Sequence, residues 1–108
     1  MKNYSAVVFI SVCLVGGSAA RAALSAADAT SLMTKYNCQA CHTVDKKLVG
    51  PAFRDVAKKY AATAGAAATL AGKVKNGSTG TWGQIPMPPN NVPPADIDSL
   101  VQWILSLQ

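Results

Sequence analysis

The chain has 108 residues, half of them hydrophobic, and carries ten Lys and Arg against five acidic residues for a net charge of +5. That length suits one domain at most, and so mild a basic excess is too weak to indicate nucleic-acid binding. An apolar run near the start falls short of the ~20 residues a membrane-spanning helix needs, so stable membrane insertion is not expected.

Met1, Lys2 and Asn3 give a short positive start, residues 6–15 form the apolar run, and the small residues that follow end in Ala20-Arg21-Ala22, an A-x-A cleavage pattern. Residues 1–22 therefore read as a signal peptide cleaved on export, with residues 23–108 as the mature domain. A lipid anchor on Cys13 fits less well, because bulky Val12 precedes it in mid-run. Loss of the leader leaves two cysteines, Cys38 and Cys41, and a charge of +3 from eight Lys and Arg against five Asp. A domain of this size buries a modest share of its surface and gains from a staple.

Four segments place apolar residues at helical spacing and none alternates as a strand does, so the expected fold class is all-α. The first helix is predicted over 25–36, with Ser25 as its cap, Asp28 three positions on, and Ala29, Leu32, Met33 and Tyr36 on one face. It leads directly into Cys38-Gln39-Ala40-Cys41-His42. The second, over 52–61, stripes Phe53, Val56, Ala57 and Tyr60. The third, over 66–76, stripes Ala67, Leu70, Ala71 and Val74, and Gly77 stops it. Residues 78–94 hold Pro86, Pro88, Pro89, Pro93 and Pro94, which exclude a continuous helix. A loop this long in so small a domain signals function or disorder, and its Trp82, Ile85 and Met87 argue against disorder. The last helix, over 95–107, carries Leu100, Trp103, Ile104 and Leu107 on one face, with Asp96 and Asp98 near its positive end.

The C-x-x-C-H pattern of residues 38–42 is the attachment motif of a c-type haem. Cysteines three apart on a helical turn lie on one face, where each forms a thioether to one haem vinyl group, and the adjacent His42 reaches the iron. Two other readings of the cysteines stand beside it. A redox-active disulfide of thioredoxin type belongs to a βαβ unit, for which no strands are evident. A zinc site needs four ligands, and Cys38, Cys41 and the single histidine supply three. With one histidine in the chain, the sixth iron ligand falls to a methionine. Met33 lies on a helix stripe as a core residue would, whereas Met87 sits in the stiff loop between Pro86 and Pro88. Met87 is therefore the preferred ligand, and His/Met ligation raises the reduction potential.

These residues, together with Leu48-Val49-Gly50-Pro51-Ala52, Lys75-Asn76-Gly77-Ser78 and the run from Trp82 to Asn90, resemble the small bacterial class I c-type cytochromes of the c-551 (c8) family. The resemblance covers residues 25–107 and implies four helices around one covalent haem c. It implies thioethers at Cys38 and Cys41 and iron ligation by His42 and Met87. It further implies that the Pro51 carbonyl orients His42, that Asn90 hydrogen-bonds near the methionine sulfur, and that the Trp82 indole reaches a haem propionate. Lys73 stands where some family members have an arginine near a propionate, so the resemblance does not carry over a bidentate contact there, and Tyr60 stands where phenylalanine is usual, which would add a hydroxyl near the haem.

The function expected from all this is single-electron transport in the periplasm by a monomer. Its partners would be redox proteins, such as a reductase, an oxidase or a photosynthetic reaction centre, engaged by transient docking. It is not expected to be an enzyme, because two protein ligands leave the iron no substrate position. Lys46, Lys47, Lys58, Lys59, Lys73 and Lys75 are candidates for steering an acidic partner. A haem subunit dedicated to one oxidoreductase complex, or a haem enzyme or gas sensor with an open sixth position, are the competing functions.

Overall fold

The computed structural model describes residues 24–107, so the expected signal peptide lies outside the described residues. Four α-helices follow in order: α1 Ala26–Lys35, α2 Phe53–Tyr60, α3 Ala66–Asn76 and α4 Pro94–Leu105. A single 3-10 turn, Cys38–Ala40, intervenes after α1. The Ser25 hydroxyl accepts the Asp28 N–H at 3.1 Å, satisfying one of the free donors at the start of α1. Asn37 then takes a left-handed conformation at φ 60° and turns the chain into the cysteine motif.

No side chain caps α2. Its first N–H groups, on Phe53 and Arg54, instead donate to the Thr43 and Val44 carbonyls at 2.9 and 3.1 Å. The same bonds that cap α2 thus pin the segment following His42. Pro94 opens α4, where its missing N–H costs nothing and its fixed φ suits a first turn.

The last helix is the hub, packing against α1, α2 and α3. Its Ile97, Leu100, Val101, Trp103 and Ile104 are buried with Ala29 and Met33 of α1, Phe53, Val56 and Tyr60 of α2, and Leu70 of α3. The stripes of α1 and α2 fall as expected. On α3 Leu70 is buried and Ala71 and Val74 pack against the core as expected, but the buried alanine of the first turn is Ala66, while Ala67 is exposed. The last helix ends two residues earlier than expected, at Leu105, and Leu107 still packs on the core from beyond it.

A side-chain hydrogen bond ties the end of α1 to the start of α4. The Tyr36 hydroxyl, at the end of α1, donates to Asp96 Oδ2 in the first turn of α4 at 2.5 Å. That bond, aided by desolvation, pushes the Tyr36 pKa up. A phenol whose folded value is raised contributes stability that is complete below the unfolded value of about 10 and lost as pH rises through the raised value. Tyr36→Phe should therefore unfold at lower denaturant than wild type at neutral pH, with the two curves converging above pH ~10.

Candidate functional site

The cysteine motif is a closed local structure. Both the Cys41 and His42 N–H groups donate to the Cys38 carbonyl, at 3.2 and 3.0 Å, which turns both sulfurs and the imidazole toward the helices. Gly50 N–H returns to the Cys41 carbonyl at 2.7 Å, folding residues 43–50 back onto the motif. Burial pushes the Cys38 thiol up, the reverse of the lowered value that activates a redox thiolate.

The His42 ring is fixed from several directions. Its Nδ1 lies 2.8 Å from the Pro51 carbonyl. A carbonyl only accepts, so Nδ1 carries the proton and donates, and the lone pair is left on Nε2. Phe53 stacks on the imidazole with ring centroids 4.9 Å apart and 17° between planes. Gly50 closes in on the ring: a Cβ there would meet His42 Cε1 at 2.6 Å, nearer than real Cβ contacts come. Glycine is thus required at position 50 for space rather than for backbone freedom. The motif Leu48-Val49-Gly50-Pro51-Ala52 carries no pattern that would reveal this role of Gly50.

Met87 is held by backbone pairing. Its N–H donates to the Ser78 carbonyl at 2.8 Å and its carbonyl accepts the Ser78 N–H at 3.0 Å, an antiparallel bridge inside the expected loop. This bridge escapes sequence reading because one residue pair has no periodicity. Gly77, at φ 81°, makes the close approach possible, since a Cβ there would lie 2.6 Å from the Met87 carbonyl oxygen. Asn90 ties the far side down, its side-chain nitrogen donating to Pro88 O at 2.9 Å and its backbone N–H to Val74 O at 3.0 Å.

Two cavities, of about 110 and 200 Å³, meet at these residues. Both are lined by His42 and Met87, with Phe53, Val74, Val101 and Ile104. The larger adds Cys38, Cys41, Met33 and Asn90; the smaller adds Pro51, Trp82 and Lys73. All seven predicted site residues therefore line one or both of these adjoining apolar lobes, and of the seven only His42 and Met87 line both. Met33 reaches the larger lobe too, while packed in the core at 4% exposure. Trp82 lies at the rim, 41% exposed, with Lys59 Nζ 5.4 Å from its ring centroid. Tyr60 is buried in the core and lines neither lobe.

A flat aromatic macrocycle suits this space. Its walls are apolar, two thiols stand on one turn, an imidazole nitrogen keeps its lone pair, and a thioether is the other donor common to both lobes. Among the described residues no group of three or more His, Cys, Asp or Glu side chains is arranged to hold a bare metal ion.

The fold and cavity define a class I cytochrome c, and residues 26–108 match the cytochrome c family, to which this chain belongs. Within it the likeness is to the c-551 group. Cytochrome c-552 of Nitrosomonas europaea is 59% identical over 78 residues, 71% of this chain and 76% of that protein. Cytochrome c-551 of Stutzerimonas stutzeri is 46% identical over 101 residues, 94% and 97% of the two chains. The crystal structure of wild-type Nitrosomonas europaea cytochrome c552 superposes with a TM-score of 0.72 at 57% identity, covering 73% of this chain and 99% of that one. The chain is accordingly an electron-transfer protein rather than an enzyme, and it carries one covalently attached haem c.

Gly50→Ala offers a direct check on the crowding at His42. The added methyl should push the imidazole off Pro51 and Phe53 and destabilise the haem-loaded protein by about 1–3 kcal/mol, read as a lower denaturant midpoint.

Proposed function

We propose that residues 1–22 direct export to the periplasm and are removed, and that residues 23–108 there shuttle single electrons between redox proteins of a respiratory or photosynthetic chain. Cys38 and Cys41 would hold the haem through thioethers, and His42 Nε2 and Met87 Sδ would ligate its iron. The observation that carries this reading is that His42 and Met87 alone among the potential donors line both lobes of the apolar cavity, with His42 Nδ1 already engaged by Pro51. When bound, the haem supplies the one-electron couple.

The chain's own residues have three tasks. Pro51 keeps the proton on Nδ1, so that Nε2 stays a ligand, and raises its basicity. The Ser78 pairing and the flanking prolines hold Met87 in place in both oxidation states, so little rearranges when an electron moves. Apolar walls from Val74, Val101 and Ile104 exclude water, and the soft sulfur favours the reduced form. Asn90 steadies the Met87 segment, and Trp82 supplies an indole N–H at the rim for a propionate.

Docking is transient and between monomers, through a small surface at the cavity mouth. Lys46, Lys47, Lys58 and Lys75 are exposed and favour an acidic partner. Among the described residues no helix is long and apolar enough to cross a membrane.

The ferric protein should show the weak far-red absorption band of methionine sulfur on iron, and Met87→Ala should abolish it while Met33→Leu keeps it. A wild-type spectrum of high-spin type would refute the axial assignment.

A further inference from the structure

The segment that carries Met87 has little burial to hold it. Residues 79, 80 and 82–86 are exposed, and Gly80 and Gly83, at φ 88° and 123°, put two freely turning positions at its tip. Its internal backbone bonds are the Ser78–Met87 pair and one bond from Gly80 N–H to Gly83 O at 3.1 Å. Such a hairpin opens readily unless something ties it to a helix. Lys73, in the last turn of α3, makes that tie. Its Nζ donates to Ser78 Oγ at 3.2 Å and to Thr81 Oγ1 at 3.0 Å, both part-buried. Ser78 is the residue paired with Met87, and Thr81 lies at the tip.

We propose that Lys73 is a positioning residue for Met87: its ammonium bridges Ser78 and Thr81 and so locks the hairpin bearing the methionine onto α3. The inference rests on the reading of Met87 as an iron ligand. A charged donor shared by two hydroxyls at the edge of an apolar cavity is stronger than neutral bonds, and it spans the base and tip of the hairpin. Each opening of the hairpin would carry Met87 away from the iron. Lys73 therefore governs how often the sixth position becomes accessible, without touching the iron itself.

Carbon monoxide binding to the ferrous haem-loaded protein measures that accessibility. Lys73→Met should accelerate it roughly tenfold, the effect of losing bonds to a charged donor at a part-buried site. The double variant Ser78→Ala/Thr81→Val keeps the lysine, its charge and the backbone pairing, and should accelerate binding to a similar degree. Combining all three changes should add little more, and Lys73→Arg should stay near the wild-type rate. If the double variant reacts at the wild-type rate while Lys73→Met does not, Lys73 acts through charge alone and the brace is refuted. Wild-type rates in all variants refute it as well. The far-red band separates the two readings: a wild-type protein without it overturns the Met87 assignment and the brace together, whereas its presence alongside unchanged variants overturns the brace only.

Discussion

The hydrogen bond from His42 Nδ1 to the Pro51 carbonyl, 2.8 Å long, ties the cysteine turn to the start of α2. It fixes which ring nitrogen keeps a lone pair, and it does so with a backbone group whose position is set by α2. That helix takes its caps from Thr43 and Val44, immediately after the histidine, so the turn bearing the cysteines, the imidazole and the helix stacked on it form one hydrogen-bonded unit. Gly50 completes the unit by leaving room for the ring. Because proline supplies no N–H and its φ is fixed, the carbonyl that faces His42 has little freedom to turn away.

The opposite wall is built by different means. Cys38, Cys41 and His42 are local in sequence and held by a tight turn, but the Met87 segment is far along the chain and largely exposed. It is stabilised by a backbone bridge to Ser78, by prolines that limit its conformations, and by polar ties to α3, from Asn90 to the Val74 carbonyl and from Lys73 to Ser78. One wall is thus a tight turn packed against the core and the other a region of lower local stability. The ties on that weaker wall therefore matter more to its geometry than their exposure suggests.

Between the walls runs α4, which packs on every other helix and contributes Val101 and Ile104 to both lobes of the cavity. A domain this small has little apolar surface to spare, and using one helix both as core hub and as cavity wall serves the two needs with the same side chains. The cavity and the core are therefore a single apolar region, and the covalent haem c of this family extends it.

Much of this protein was legible along the chain. The C-x-x-C-H turn is local, so spacing alone identifies its chemistry, and the stripes on α1, α2 and α4 follow from the 3.6-residue period. Proline at positions 86 and 88 marks Met87 as a fixed residue rather than a core one. What the sequence by itself determined, then, is the attachment motif, the helical class and the preference for Met87. Tertiary structure decided the rest: the burial of Ala66 instead of Ala67, the demand for glycine at 50, the Ser78–Met87 bridge and the reach of Lys73 to Ser78 and Thr81. Each of these depends on distances between segments rather than on spacing along the chain. Periodicity and spacing report only on neighbours along the chain, so contacts made through space had to come from the fold.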